Sequence, residues 1–336
     1  MYKRQGKSIT GPFTIPSGIV ATAVPIIEYL FRNVPQVGVM TTKSIGLEPR
    51  LGYREPVLSQ YAPGCFVNAV GLTNPGAVAS AQLFAALEVP EDRFFLVSIF
   101  GGSVEEFVEV AKILAPFSDG LELNLSCPHA KGYGMAMGQD PELVCEITAA
   151  VKAAVDVPVV PKLTPNATDI AAIAQAAVAG GADALCAINT VGPGYHSAHG
   201  QAVLSNELGG MSGKGVLPIG LKCVREIAAC TDVPIIGCGG ISSADDVRAY
   251  RAAGALVFGV GSALVGMTSA DMRSYFDVLE WDVANSNNAA EGLVHYDEDM
   301  SFTPVTLVDN TKVAEDIAIL IFDRPIDIEA GEFIFL

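Results

Sequence analysis

The stretch VPIIGCGGISSADDVRAYRAAGALVFGVG, residues 233–261, contains the structural unit on which most of the chain is built. Its first apolar run, 233–237, leads into a glycine turn, and a helix-like segment then connects to a second apolar run, 256–260. Short runs rich in Val, Ile, Leu and Ala are typical of strands that are buried on both faces. A strand, a helix and a second strand in this order predict a βαβ unit of a parallel sheet.

The same alternation of apolar runs and helical patterns continues through the preceding sequence. Strand-like runs lie at 17–22, 37–41, 94–100, 120–124, 157–163, 184–189, 233–237 and 256–260. Helix starts follow several of them, such as Asp140 before Pro141, and Ser103 with Glu106 in a capping box. Eight strand–helix units favour an α/β fold of the (β/α)8 barrel type, although the strand count alone leaves an open doubly wound sheet as an alternative.

The pattern changes in the last part of the chain. We predict that residues 1–284 form the barrel and that residues 285–300 form a linker, because Asn, Ser and acidic residues replace the apolar runs there. Residues 301–336 contain further strand-like runs and form a β-type extension outside the barrel units.

Composition and charge limit the classes of function. Half of the 336 residues are hydrophobic, which is enough for a large core. The 20 basic and 37 acidic residues give a formal net charge of −17, which argues against nucleic acid or an anionic membrane as the main partner. The longest uncharged apolar run, 252–267, is shorter than the ~20 residues of a membrane span. Seven cysteines without a CxxC pair, and no leader-type segment, favour a reducing cytoplasmic location.

Two glycine clusters follow the predicted seventh and eighth strands. Gly239 and Gly240 come after the seventh strand, and Gly261 and Ser262 come after the eighth. Backbone N–H groups in such turns bind anions, and barrels often bind a phosphate between these two loops. We therefore expect a phosphate site there.

Polar side chains also occur at or near the predicted strand ends. Lys43 follows the second strand, whereas Lys162 lies within the fifth, where a buried charge is costly unless a counter-charge or a polar ligand meets it. Asn68, Asn124 and Asn189 offer amides, which match the alternating donors and acceptors of a heterocycle. These residues predict a site for a polar ring at this end of the strands.

The segment 122–129, ELNLSCPH, contains the densest set of reactive side chains. Cys127 is a candidate nucleophile or base, and the glycine-rich segment 131–138 is a candidate lid. We interpret the other six cysteines as small apolar side chains. His196 and His199 in the sixth loop have no third ligand nearby in the sequence, so no metal site is predicted.

Six motifs, in this order and spacing, resemble those of the dihydroorotate dehydrogenase family. They are NAVGLTNPG at 68–76, NLSCP at 124–128, KLTPN at 162–166, NT at 189–190, GGMSG at 209–213 and IGCGGI at 236–241. The similarity spans roughly residues 8–270. It implies an FMN-containing (β/α)8 barrel that oxidises (S)-dihydroorotate to orotate, the redox step of pyrimidine biosynthesis.

Further features of the resemblance indicate a class within the family. Cys127 stands where the quinone-linked membrane class has serine, which implies a soluble class with a cysteine base. The segment 68–76 resembles the heteromeric, NAD-linked class, in which a second subunit with FAD and a [2Fe-2S] cluster passes electrons to NAD. Residues 303–336 resemble the opening of that electron-transfer subunit. The implied assembly is a homodimer of the barrel or a heterotetramer.

The resemblance also implies roles for individual residues. Cys127 would remove the C5 proton of dihydroorotate while C6 passes a hydride to N5 of FMN, and Lys162 would stabilise the reduced, anionic flavin. The residues implied in substrate binding are Lys43, Asn68, Gly71, Leu72, Asn124, His129, Asn189 and Thr190. The residues implied in FMN binding are Ser17, Gly18, Lys43, Ser44, Lys162, Gly213, Gly239, Gly240, Gly261 and Ser262.

Three alternatives stay open beside this interpretation. The family usually has Asn at the position of His129, whereas the flavin domain of dihydropyrimidine dehydrogenase has His, so uracil or thymine reduction is the first alternative. A tRNA-dihydrouridine synthase is also an FMN barrel with a cysteine acid, but the acidic charge disfavours it. A barrel that serves only as an assembly subunit is disfavoured because every expected catalytic position is filled.

Overall fold

A closed barrel of eight parallel strands forms the centre of the computed structural model, which describes residues 2–4, 7–20, 23–126, 134–198, 200–296, 305–314 and 317–325. The barrel strands are β1 (Phe13–Ile15), β2 (Val37–Thr41), β3 (Phe94–Ile99), β4 (Gly120–Asn124), β5 (Val159–Leu163), β6 (Leu185–Ala187), β7 (Ile235–Cys238) and β8 (Val257–Gly259). Strands that follow one another in the chain are neighbours in the barrel, and β8 pairs with β1. The predicted (β/α)8 barrel is confirmed, and the open sheet is excluded.

Helices alternate with these strands along the described chain. They are α1 (Val24–Asn33), α2 (Ala77–Phe84), α3 (Val104–Leu114), α4 (Pro141–Ala154), α5 (Ile170–Ala179), α6 (Leu217–Ala228), α7 (Ala244–Ala253) and α8 (Ser269–Asn285). Half of the predicted capping box of α3 is present, because Oγ of Ser103 accepts a hydrogen bond from the N–H of Glu106 at 3.2 Å. The Glu106 carboxylate instead accepts from the N–H of Gly102 at 2.7 Å. Within the described segments, no helix is both long and apolar enough to cross a membrane.

The first strand lies earlier in the chain than the apolar run at 17–22 indicated. It spans Phe13–Ile15, and its two end residues are completely buried. Pro16 has no N–H to donate to a neighbouring strand, and Gly18 has a φ of +85°, so the chain turns directly after β1. Gly18 therefore belongs to the loop at the carboxyl end of β1.

The interior of the barrel changes from apolar to polar along its axis. Alternate residues of a strand face the same side, so Val160 and Lys162 of β5 both point inward, the lysine nearer the carboxyl end. Glu122 of β4 also points inward, whereas its neighbours Leu121 and Leu123 are completely buried between the strands and the helices. The polar groups are thus gathered toward the carboxyl end.

A four-stranded antiparallel sheet, the accessory sheet, is built from the two long loops that follow β2 and β6. Its strands, in spatial order, are Val191–Tyr195, Leu208–Gly213, Cys65–Asn68 and Leu58–Ala62. Both loops leave the barrel at the carboxyl ends of their strands. The sheet therefore brings residues of the second and sixth units together at the same end of the barrel.

The chain beyond α8 continues to pack against the barrel before it reaches the extension. A short helix, Ala289–Leu293, follows α8, and Ala290 is completely buried. The N–H of Ala290 donates to Oδ2 of the buried Asp282 at 2.7 Å. The ring of Tyr296 packs near that of Phe66, with 6.5 Å between the ring centroids.

The predicted boundary of the barrel can be refined from this packing. Residues 285–296, the first part of the predicted linker, contact the barrel, so we now propose a boundary after residue 296. Further along, strands Leu307–Ala314 and Ile317–Phe322 form an antiparallel hairpin. Residues 297–304 and 326–336, which belong to the predicted linker and extension, lie outside the described residues.

Candidate active site

The predicted site residues gather at the carboxyl ends of the barrel strands. They are Ser17 and Gly18 after β1, Lys43 and Ser44 after β2, Asn124 at the end of β4, Lys162 in β5, Asn189 and Thr190 after β6, Gly239 and Gly240 after β7, and Gly261 and Ser262 after β8. Strands of a closed parallel barrel end at one common face, which is where barrel enzymes place their chemistry. Residues that are far apart in the sequence therefore surround the opening at this end of the barrel, which we call the mouth.

Four of these side chains form a continuous hydrogen-bonded chain across the mouth. Oγ of Ser17 lies 3.1 Å from Oγ of Ser44, which accepts a hydrogen bond from Nδ2 of Asn124 at 3.0 Å. Oδ1 of Asn124 in turn accepts a hydrogen bond from Nδ2 of Asn189 at 3.0 Å. Ser98, which the sequence analysis missed, lies 2.9 Å from Ser44, oxygen to oxygen. The network fixes the orientation of both amides.

The accessory sheet brings Asn68 close to Thr190. Nδ2 of Asn68 donates to the carbonyl oxygen of Gly210 at 3.3 Å. A Cβ at Gly210 would lie only 2.2 Å from Oγ1 of Thr190, so no side chain fits between the two. Gly210 belongs to the GGMSG motif at 209–213, but only the sheet shows that a glycine is needed there for the close approach to Thr190.

The loop after Asn68 adopts left-handed backbone at two of the predicted substrate residues. Gly71 has a φ of +78° and Leu72 a φ of +59°. A Cβ at Gly71 would lie 2.7 Å from the backbone nitrogen of Tyr53, and Nδ2 of Asn74 donates to the carbonyl oxygen of Leu72 at 2.8 Å. Both residues are half-buried, so this tight turn lies at the edge of the mouth.

Lys162 meets the counter-charge that the sequence analysis required. Its Nζ lies 3.8 Å from Oε2 of Glu122, and the two side chains are 7% and 2% exposed. Burial acts to lower the pKa of Lys162, yet the Glu122 carboxylate holds that pKa above its ordinary value. The sequence alone gives Glu122 no role, because it does not show which side chain the carboxylate faces.

The second lysine makes the mouth positively charged. Lys43 is half-buried, and burial together with the neighbouring charge of Lys162 lowers its pKa. Among the described residues, Glu122 pairs with Lys162, and Lys43 adds a second basic side chain near that pair. An excess of positive charge in a partly buried site favours an anionic ligand or an anion that develops during a reaction.

The glycines predicted to bind a phosphate come from separate segments that meet closely. Gly213 and Gly240 have φ values of +88° and +80°. A Cβ at Gly240 would lie 2.8 Å from the carbonyl oxygen of Gly213, and a Cβ at Gly261 would lie 3.3 Å from Cγ1 of Ile19. Gly239 is held by the hydroxyl of Tyr250, which donates to its carbonyl oxygen at 2.8 Å. The result is a surface of backbone with little room for side chains.

Two backbone N–H groups directly before α7 are used within the protein. Oδ2 of Asp246 accepts hydrogen bonds from the N–H groups of Ser242 and Ser243, both at 2.9 Å. These donors are therefore already used within the protein. The glycine loops themselves, and not the start of α7, are the candidate phosphate cradle.

Two predicted residues, Cys127 and His129, lie outside the described residues. The described chain reaches Ser126, whose N–H donates to Oδ1 of Asn124 at 3.2 Å. His199 also lies outside them, and Nδ1 of His196 is 3.1 Å from Oγ of Ser59. Among the residues that the structure covers, no cluster of three His, Cys, Asp or Glu side chains is arranged to hold a metal ion.

Comparison with known proteins decides the family. A family model described as dihydroorotate dehydrogenase matches residues 2–272. The chain belongs to this family. The predictions of the family and of an oxidoreductase are therefore confirmed, whereas the roles of single residues remain predictions.

Several archaeal relatives are similar over most of the chain. All three named here are the dihydroorotate dehydrogenase B (NAD(+)), catalytic subunit. That of Pyrococcus horikoshii is 43% identical over 263 residues, which cover 77% of this chain and 84% of the relative. That of Methanosarcina mazei is 43% identical over 266 residues, 79% and 84% of the two chains. That of Methanocaldococcus jannaschii is 42% identical over 263 residues, 77% and 85%.

Proposed function

We propose that this chain is the FMN-bearing catalytic subunit of an NAD-linked dihydroorotate dehydrogenase and oxidises (S)-dihydroorotate to orotate. The observation that carries the proposal is the mouth itself. The Asn124–Asn189 amide pair and the Lys162–Glu122 ion pair lie at the same end of the barrel as the glycine loops. The amides suit a polar ring, the buried Lys162 suits a redox-active group that becomes anionic, and the glycine loops suit a phosphate.

The residues at the mouth fit FMN. Gly213, Gly239, Gly240, Gly261 and Ser262 would hold its phosphate, and Ser17, Gly18, Lys43, Ser44 and Lys162 would contact the rest of the cofactor. The absence of side chains at these glycines suits a bulky group held against the backbone. When bound, FMN supplies the acceptor for a hydride. The Lys162 ammonium would stabilise the negative charge that this transfer creates.

The amide network suits a dihydropyrimidine ring. Asn124 and Asn189 are oriented by their mutual hydrogen bond, so their remaining polar atoms are pre-positioned for ring N–H and C=O groups. The positive charge of Lys43 suits the substrate carboxylate. The other residues proposed to contact the substrate are Asn68, Gly71, Leu72, His129 and Thr190.

The chemistry at the substrate requires a base. In our proposal the Cys127 thiolate removes the C5 proton of dihydroorotate, C6 loses a hydride, and the C5–C6 double bond of orotate forms. The thiol then returns its proton to solvent before the next turnover. A thiol has an ordinary pKa of about 8.5, so the thiolate is accessible near neutral pH.

The electrons would leave through a partner. We propose an electron-transfer subunit or module that carries FAD and a [2Fe-2S] cluster, with the barrel present as a homodimer or within a heterotetramer. The names of the relatives, which call each a catalytic subunit linked to NAD(+), support such a partner. The resemblance of residues 303–336 to the opening of that subunit points the same way.

Flavin binding and reduction test the proposal. The purified full-length chain should contain about one FMN per chain, and anaerobic (S)-dihydroorotate should bleach the oxidised flavin spectrum. Lys162→Met should slow the bleaching, whereas Lys222→Met, at an exposed pair on α6, should not. A flavin-free protein, or a bound flavin that dihydroorotate leaves oxidised, would contradict the proposal.

A further inference from the structure

Glu122 and Lys162 form a buried ion pair inside the barrel. They lie on the adjacent strands β4 and β5, with Glu122 opposite Val160 and Asn124 opposite Lys162. The distance from Nζ to Oε2 is 3.8 Å, and Oε2 of Glu122 is buried without a hydrogen-bond donor among the described residues. Oε2 is thus held beside the ammonium by charge, without a hydrogen bond from another described group.

The other titratable groups around Lys162 come from three further strands. Lys43 follows β2, while Cys186 of β6 and Cys238 of β7 are buried thiols. Their sulfur atoms are 3.9 Å apart, and Sγ of Cys238 donates to the carbonyl oxygen of Ile188 at 3.1 Å. Within the described chain, Glu122 is therefore the only carboxylate that compensates the Lys162 charge.

This environment makes the charge of Lys162 depend mainly on Glu122. Burial acts to lower the Lys162 pKa. The Glu122 carboxylate opposes this most strongly, with smaller contributions from Cys186 and Cys238, and the pKa of Lys162 stays above its ordinary value. Removing one partner of a buried pair leaves an uncompensated charge, which a lysine avoids by losing its proton.

We propose that Glu122 is a positioning residue that keeps Lys162 charged before the flavin is reduced, so that reduction of bound FMN takes up one proton for two electrons. The inference rests on the proposed function, because it requires FMN next to Lys162. A hydride carries two electrons and one proton to the flavin and leaves it anionic. If Lys162 were neutral beforehand, it would take a second proton from solvent to balance that anion.

A pH series of reduction potentials tests this directly. The FMN-loaded full chain is titrated with mediator dyes from pH 6 to pH 9, and the slope of the potential against pH gives the protons taken up per two electrons. We expect one proton in the wild type. In Glu122→Gln we expect two, so that the slope doubles, because Lys162 becomes protonated only when the flavin is reduced.

Two further variants assign the second proton. The double variant Glu122→Gln/Lys162→Met should return to the one-proton slope, since the group that takes the extra proton is absent. Asp282→Asn is the matched control, because it also removes a buried carboxylate with an unpartnered oxygen, but on α8 outside the barrel. It should cost stability and leave the slope unchanged.

The outcomes separate this inference from the proposed function. Two protons in the wild type would overturn it even if no variant folds, and so would a one-proton slope in Glu122→Gln. The potential is set by the dyes and not by dihydroorotate. If dihydroorotate fails as a substrate, that result counts against the proposed substrate, and the slope of the potential against pH can still be measured. A chain that binds no FMN would overturn both.

Discussion

Asn189 donates a hydrogen bond from Nδ2 to Oδ1 of Asn124 across 3.0 Å, although the two residues are 65 positions apart and lie at the ends of strands that are not neighbours. β5, which carries Lys162, lies between these strands. The two amides therefore meet across the end of β5, the strand that carries the buried Lys162. Because Asn124 also donates to Ser44, a change at Asn124 should disturb both sides of the mouth.

Replacing Asn124 tests the amide network. Asn124→Ala removes the acceptor of Asn189 and the donor to Ser44, so the remaining groups lose their fixed positions. We expect kcat/KM for dihydroorotate to fall by about 100-fold, as misplacement of substrate-positioning groups commonly does. Asn285→Ala, which removes an exposed amide bound to its own helix, is the control and should retain full activity. Equal activity of the two variants would contradict the network's role.

The glycine cradle is tested by a pair of glycines that share a backbone conformation. Gly240 and Gly266 have φ values of +80° and +81°. A Cβ at Gly240 would approach Gly213 and Leu217 to within about 3 Å, whereas a Cβ at Gly266 meets nothing within 4 Å. Either Gly→Ala change should cost about 1–2 kcal/mol of stability through left-handed strain. Only Gly240→Ala should lower the ratio of FMN to protein, and equal loss in both would contradict the cradle.

The proposed base predicts a pH dependence. The rate of flavin reduction should rise with pH and level off once Cys127 is a thiolate, since a free thiol has a pKa of about 8.5. Cys127→Ser should bind orotate almost normally and reduce FMN about 100-fold or more slowly at pH 7, because a hydroxyl is a much weaker base. Cys145→Ser, at a half-buried free cysteine of α4, is the control. Unchanged stopped-flow rates in Cys127→Ser would exclude this assignment.

Two truncations test the boundary of the barrel. A chain ending at residue 296 should keep its FMN and its reduction by dihydroorotate, although it should lose coupling to an FAD-bearing partner. A chain ending at residue 284 also loses the buried Ala290 and leaves Oδ2 of Asp282 without the Ala290 N–H. Its thermal unfolding temperature should therefore be lower by several degrees. Identical unfolding temperatures, or loss of FMN at residue 296, would contradict the boundary.

Sequence reasoning succeeded where a residue's position along its own strand determines its role. Lys162 and Asn124 could be placed at the mouth because the carboxyl ends of all eight parallel strands meet there. It failed where a role depends on a neighbour from another strand. Glu122 and Gly210 lie against Lys162 and Thr190, and only the barrel register and the accessory sheet bring these partners together.

The position of the first strand depends on local backbone and on long-range pairing. The run at 17–22 is apolar enough to predict a strand, but Pro16 interrupts hydrogen bonding directly before it and Gly18 takes a left-handed conformation. The shorter segment Phe13–Ile15 pairs with both β8 and β2 instead. Pairing partners at long range, and not the length of the apolar run, decide which segment becomes the strand.

The preference for dihydroorotate can be measured by comparing two substrates on the same flavin. The FMN-loaded chain is mixed anaerobically in a stopped-flow instrument with (S)-dihydroorotate or with dihydrouracil, which lacks the carboxylate, and the loss of oxidised-flavin absorbance is followed. We predict that dihydroorotate reduces the flavin at least about 100-fold faster, since a site built for a charged group rejects a ligand without it. Faster reduction by dihydrouracil would contradict the account and would favour the dihydropyrimidine dehydrogenase-like alternative that His129 suggested.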